Sequence, residues 1–362
     1  MATVLRSTPT TVVVSTSALQ VAAAQTARDS FAAFEQPSLT SRSAHPATGI
    51  LCDVTEDGSG FVGHTAIDWA GKGCYDPQSR RVMWASCGAG NMRSGGAAFN
   101  THSIYSEASN AWTATRGFQA PGESNTSPIG HMYDSNCIDV PGRRFYKKKF
   151  GAAEILAYDL DANRWVEAFP SPTDEANYAL DGGLEFVPNR ATGGVLWLIS
   201  WRRSDNAPQL WEYGIASRRW TVLVAGGSFG AAGNGNTSLI SYNPRAFGGA
   251  GGALVAHSRG AWTVRADSLA QAPVGQAPKA LSMPHDGHLC RDPVGPGWLY
   301  ACSDGNLYSC DGSNWTRRRQ LPGRMGSNPN QLPFVMVPID AYGVVWLITS
   351  QGSGSRAWLY KA

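Results

Sequence analysis

Four times along the chain a tyrosine is followed seven residues later by a tryptophan: Tyr105/Trp112, Tyr158/Trp165, Tyr213/Trp220 and Tyr308/Trp315. The segments that hold these pairs are IYSEASNAWTA, AYDLDANRWVEA, EYGIASRRWTVL and LYSCDGSNWTRR. Each alternates like a strand, crosses a short run of Asn, Asp, Gly or Ser, and resumes as a second strand, which is the pattern of a β-hairpin. A second element recurs in YDPQSRRVMWAS, DVPGRRFYKKK, FVPNRATGGVLWLIS, RDPVGPGWLYACS and IDAYGVVWLITS, a turn followed by an apolar run with an aromatic residue. It also reads as a hairpin, and two hairpins make a four-stranded unit. The tyrosines step by 53, 55 and 95 residues, the last step spanning two units. A four-stranded repeat of about 50 residues is what a β-propeller blade requires.

Counting units predicts an all-β, six-bladed propeller. The fourth unit is shortened: SLISYNPRAFGGAGGALVAHSRGAWTVRA has Tyr242-Asn243-Pro244 at its turn and Trp262 in a later strand. The sixth ends at Tyr360-Lys361-Ala362, where a fourth strand has yet to begin. The N-terminus is the expected donor, because a strand from it removes an open sheet edge and ties the ends of the chain together. Thr11-Val12-Val13-Val14-Ser15-Thr16 is the most strand-like segment before residue 50, so the closing strand is expected at 10–16. A helix is expected over 17–36, capped by Ser15 or Ser17 and stopped by Pro37. Its face of Leu19, Ala22, Ala23, Ala27, Phe31 and Phe34 is expected to pack on the chain's own propeller. The organisation expected is thus an N-terminal arm over 1–50 and a propeller over 51–362.

The stretch Tyr75-Asp76-Pro77-Gln78-Ser79-Arg80-Arg81-Val82-Met83-Trp84, followed by the Tyr105/Trp112 hairpin, resembles the kelch-repeat propellers, including their bacterial and phage branch. The resemblance covers residues 58–362 and departs from the family in lacking most of the paired glycines of the second strand. It implies a kelch-like ring and says little of activity, since propellers carry unrelated functions on one scaffold.

Composition excludes other classes. With 41 Gly, 21 Pro and only 16% charged residues, the chain after residue 40 has no helix-rich stretch for a bundle. A net charge of +3 is too small to point to nucleic acid. The local runs Lys147-Lys148-Lys149, Arg202-Arg203, Arg218-Arg219 and Arg317-Arg318-Arg319 read as solvated strand edges that block unwanted pairing. The seven cysteines, at 52, 74, 87, 137, 290, 302 and 310, are scattered and read as buried thiols, with a Cys302–Cys310 cross-strand disulfide left open. No run reaches the ~20 apolar residues of a membrane helix. The N-terminal segment is a poor secretory signal, so a protein made in the cytoplasm without membrane insertion is expected.

Chemistry is sparsely marked. Three histidines follow glycine, His64, His131 and His288, and His285 lies just before the last; near inner strands they serve either to bond a neighbouring blade or to meet a ligand in the channel. With Trp69, Asn91 and Arg93 they form the candidate binding set. No catalytic residue, metal site or cofactor is expected: HDGH lacks further ligands at metal spacing, and Ser309–Trp315 is one residue shorter than the sialidase box. The adjacent Cys74-Tyr75 point to opposite faces of one strand, which excludes a crosslinked cysteine–tyrosine copper site like that of galactose oxidase. Glycosidase chemistry needs two carboxylates, and Asp68, Asp134, Asp181, Glu185, Asp286 and Asp340 are all available, with no pair singled out. Long loops such as GAGNMRSGGAAFNTHS and AGGSFGAAGNGNTS suit contacts in an assembly. The expected function is therefore a non-catalytic module that binds protein subunits or a surface glycan, as in a phage tail or other virion part. The alternative is a carbohydrate-active enzyme with an acidic site at the channel mouth.

Overall fold

In the computed structural model the described residues are 16–34, 71–85, 101–116, 134–149, 153–173, 182–202, 207–225, 238–257, 260–275, 287–322, 334–351 and 354–362, with residues 204, 229, 277 and 278. They form six four-stranded antiparallel sheets around one axis. The innermost strands are Cys74–Asp76, Asn136–Asp139, Gly183–Val187, Ser238–Asn243, Gly287–Arg291 and Phe334–Ile339. They pack in chain order, and the sixth returns to the first. The expected six blades and a closing strand from the N-terminal part are present, whereas the fourth unit is not shortened: Ser238–Gly275 is a complete four-stranded blade, longer than Asn136–Pro170 or Gly287–Gln320.

Six apolar clusters fill the six interfaces between adjacent blades. Trp84, Trp197, Trp298 and Trp346, all on second strands, are fully buried there. These are the aromatics of the recurring apolar runs, and their large buried area makes them the main apolar contributors to packing between blades.

The Tyr/Trp pairs face each other across their hairpins in three blades: Tyr105↔Trp112, Tyr158↔Trp165 and Tyr213↔Trp220. The residue two before the tryptophan has positive φ, at 48° for Asn110, 55° for Asn163 and 55° for Arg218. Asn tolerates this left-handed turn, and the tyrosine hydroxyl holds it, donating to Asn110 Oδ1 at 2.7 Å and Asn163 Oδ1 at 2.8 Å. Blade 5 departs from the pattern. Trp315 pairs with Cys310 instead of Tyr308 and packs on Tyr300, with ring centroids 5.5 Å apart.

Closure uses a different segment from the one expected. Residues 10–15 of the predicted strand at 10–16 lie outside the described residues and Thr16 is in no strand, and the free edge of Gly354–Lys361 pairs instead with Ser30–Phe34. The helix is correspondingly short, Ala18–Gln25, with Ser17 as its cap, so Phe31 and Phe34 belong to a strand. Phe31 lies opposite Tyr360, and Tyr360 donates to Asp29 Oδ1 at 2.7 Å, with Asp29 at φ 51°. The blade motif is thus completed by two distant pieces of chain. Arg318 and Arg319 pair with Asp29.

Leu19 and Ala23 of the helix are buried in the cluster between blades 6 and 1, so the helix packs on its own propeller as expected. Glu107, nearly fully buried, accepts bonds from Ser17 Oγ (2.6 Å), Tyr75 (2.7 Å), Tyr342 (2.8 Å) and Arg80 (3.0 Å).

One further expectation is corrected, and the buried-thiol reading of the cysteines is borne out for Cys302 and Cys310. Lys147 and Lys148 are buried in the second strand of blade 2, with Lys147 bonded to Ser135 Oγ, so this run is no solvated edge; Arg218-Arg219 and Arg317–Arg319 are exposed. Cys302 and Cys310 are free thiols because the hairpin register pairs them with Asn306 and Trp298 instead of each other.

Leu19→Ala is expected to cost about 2–5 kcal/mol, read as a lower urea midpoint, because the helix has no other fully buried large side chain. Asp76 is buried against Arg143 at 2.8 Å. Burial opposes its ionisation, but bonds from Arg143, Ser79 and the Gln78 N–H outweigh that and hold the carboxyl below its ordinary 3.8. A lowered folded pKa stabilises above the unfolded value and loses that contribution as pH falls through and below about 4. Asp76→Asn should therefore flatten the fall of the urea midpoint between pH 5 and 3.

Candidate functional site

The site forms where the inner strands meet on the axis. Gly73 allows it: a Cβ there would come 2.6 Å from Val337 Cγ2, so only glycine lets this backbone pair with blade 6. Gly73 N donates to Met336 O at 3.0 Å, and Met336 N to Gly71 O at 3.1 Å. Between these two glycines Lys72 sends its side chain towards the other blades. Its Nζ donates to Leu184 O at 2.6 Å and Ile240 O at 3.3 Å, and lies 3.5 Å from both Asp134 Oδ1 and Glu185 Oε2. The carboxylates are held in turn. Asp134 Oδ2 accepts from Ile240 N at 2.6 Å, and Glu185 Oε1 from Tyr242 N at 3.0 Å. Gly183 leaves room for this, since a Cβ there would meet Asp134 Oδ2 at 2.7 Å. Asn136 Nδ2 donates to Lys72 O at 2.9 Å, and Cys74 Sγ to Asn136 Oδ1 at 3.3 Å.

Burial alone would lower the Lys72 ammonium, but Asp134 and Glu185 overcome it and the ammonium is raised above its usual value. Burial pushes the Asp134 carboxyl up to about 7 despite Lys72. The Cys74 thiol is pushed up to about 12 by burial, and Cys137 and Cys290 are raised likewise, so these thiols stay protonated and make poor ligands and nucleophiles. Among the described residues no group of three His, Cys, Asp or Glu side chains could hold a metal ion.

Beside this cluster opens a cavity of about 420 Å³. Its rim consists of the turns after the inner strands, which contribute Pro77, Pro141, Pro188 and Pro244, with Pro338 from blade 6. The turns are held by side chains that accept backbone N–H groups, as Asp76, Asp139, Asn243 and Asp292 do. The charged lining residues are Lys72, Glu185, Arg291 and Asp340. Asp340 is claimed by two arginines, Arg291 Nε and Arg245 Nη1, each at 3.0 Å. Burial would lower Arg291, but Asp340 and Glu185 raise it on balance.

Of the candidate binding set, His64, His131, His285, Trp69, Asn91 and Arg93 lie outside the described residues. His288 is in the inner strand Gly287–Arg291, 2% exposed and absent from the cavity lining. Of the candidate carboxylates, Asp134, Glu185 and Asp340 come to the axis, while Asp68, Asp181 and Asp286 lie outside the described residues. Lys72 and Arg291 were not anticipated. Each carried a signal: Lys72 stands between two glycines just before an inner strand, and Arg291 fills, before Asp292-Pro293, the place that Tyr75 and Tyr242 hold before Asp76-Pro77 and Asn243-Pro244.

No protein-family model matches the chain, and no curated protein matches it in sequence. Among solved structures it is similar to a chain of a nidogen/laminin complex, at 10% identity and TM-score 0.49, covering 75% of this chain and 85% of that one. It is similar also to the calcium-binding protein regucalcin from Agrobacterium tumefaciens, at 12% identity and TM-score 0.49, over 82% and 93% of the two chains. A luciferin-regenerating enzyme aligns at 10% identity and TM-score 0.47, over 81% and 91%. Nothing about ligand or activity passes to this protein from such likenesses.

Lys72→Met should cost about 3–5 kcal/mol in urea unfolding, because it leaves two buried carboxylates without their cation. Adding Glu185→Gln should recover part of that loss, as neighbouring charges couple.

Proposed function

We propose that this six-bladed, kelch-like propeller is a non-catalytic interaction module that uses its axial mouth and neighbouring loops to bind a partner, as a component of a larger assembly such as a phage virion. One observation carries this reading: both carboxylates that line the cavity are already engaged, Glu185 by Lys72 and the Tyr242 N–H, Asp340 by Arg245 and Arg291. Glycoside hydrolysis by two carboxyl groups requires one protonated acid facing one available base or nucleophile across the scissile bond. Asp134, the carboxyl that burial raises towards neutrality at the axis, lies outside the cavity lining. Its charge and bonds serve the contact between blades. Free, buried thiols at Cys74, Cys137, Cys290, Cys302 and Cys310 agree with maturation in a reducing compartment.

The competing reading is a carbohydrate-active enzyme, for which the presence of Glu185 and Asp340 around one cavity speaks. Purification from the natural source under native conditions separates the two. The expected result is co-sedimentation with a large particle, with no cleavage of glycans. A free monomer that cleaves glycans, and loses that activity in Glu185→Gln or Asp340→Asn, would overturn the proposal.

A further inference from the structure

We infer that the axial cavity binds an apolar monocarboxylate, its carboxylate on Arg291 and its apolar body within the ring of prolines; this rests on the binding-module reading and names the ligand class of the same site. Arg291 stands where blades 1 and 4 place a tyrosine, so one wall of an apolar ring carries a guanidinium. Its side chain is 28% exposed, and its bond to Asp340 runs through Nε alone. The terminal amino groups make no hydrogen bond among the described residues. Asp340 is held by Arg245 as well, which fixes the carboxylate and through it the orientation of Arg291.

The distribution of charge, with its positive end at Arg291, suits an anion at that point. The four charged lining residues, Lys72, Glu185, Arg291 and Asp340, sum to zero, and Arg245, outside the lining, leaves one excess positive charge on the Arg291 side. The facing Glu185 is spoken for by Lys72, and the excess negative charge of that group resides with Asp134, outside the lining. A guanidinium with open terminal nitrogens matches the two oxygens of a carboxylate in fork geometry, and in a partly dry cavity such bonds are stronger than in water. One available cation suits one negative charge. The remaining wall, with Val140, Phe186 and the prolines, offers few polar partners for the several hydroxyls of a sugar. A volume of about 420 Å³ lies within the range of small-ligand pockets.

Two sources supply this chemistry, a free organic acid and the C-terminal carboxylate of an apolar peptide. The test titrates the full chain by isothermal calorimetry with 4-phenylbutyrate, its neutral amide 4-phenylbutanamide, and a tetrapeptide ending in Leu-Phe as the free acid. At least one acid should bind, the amide at least tenfold more weakly, and Arg291→Gln should weaken the acid by about 10- to 100-fold, as expected for a charged hydrogen bond. Which acid binds names the source. Equal binding of acid and amide, or no binding of either acid, overturns the inference. The comparison of acid with amide uses the unaltered protein and stands even where Arg291→Gln fails to fold. Particle association is measured separately, so failure here leaves the interaction-module reading untouched, and a free glycan-cleaving monomer removes that reading whatever the acids do.

Discussion

The ring depends on a buried ammonium. Lys72 enters from blade 1 and meets a carboxylate at the start of blade 2, a carboxylate and a carbonyl of blade 3, and a carbonyl of blade 4. At the axis some inner backbone groups pair between blades, as Gly71 and Gly73 do with Met336, while the Leu184 and Ile240 carbonyls accept from Lys72 instead. Those groups need partners when water is excluded. A charged side chain in the middle answers several at once, and its own burial is tolerated because two carboxylates and two carbonyls surround it. Apolar contact between blades, though much larger in area, is non-directional and does not set their number or register. The buried polar cluster constrains the register of blades 1 to 4, since sliding one of them would leave a charge without its partner.

A second constraint closes the ring from outside. The sixth blade takes its last strand from the far end of the sequence, and it does so by rebuilding the local hairpin motif from separate pieces. Asp29 stands for Asn110 or Asn163, Phe31 for the tryptophan, and Tyr360 for Tyr105 or Tyr158. The same hydroxyl-to-turn bond and cross-strand aromatic pair recur, so this closure has the energetics of an ordinary blade hairpin without its covalent turn. Joining the chain ends in one sheet also removes the exposed edge on Gly354–Lys361 that would otherwise template association.

These two constraints differ in how far the sequence reveals them. Blade number was legible because the Tyr/Trp spacing and the Asp-Pro turns are local and repeated, and local hairpins depend on a few residues with special φ or special caps. The closing strand was misplaced because Ala-rich 17–36 scores well as helix, and propensity is a weak prior that tertiary pairing overrides. The Asp29-Ser30-Phe31 match to Asn110-Ala111-Trp112 was present but short. Blade 5 gives the opposite lesson: Tyr308 and Trp315 keep the spacing, yet the structure pairs Trp315 with Cys310. The lysine run at 147–149 read as an edge because its neighbours are not visible locally; packed against Ser135, two of its members are interior.

The axial site was legible only in part, for a related reason. Sequence placed Asp134, Glu185 and Asp340 on a list of acids, but which acids are free depends on cations that arrive from other blades. Lys72 comes from 62 residues before Asp134 and 113 before Glu185; Arg245 of blade 4 reaches Asp340 of blade 6 across two blade boundaries and Arg291 of blade 5 across one. Once those partners are known, the same carboxylates stop looking like acid and base and become the frame that orients a guanidinium. Arg291 then stands out, a cation in a position where sibling blades use tyrosine, tethered through one nitrogen and open through the others. In a repeat protein the departures from the repeat are where function is best sought, because the scaffold's needs are already met by the residues that the other blades share.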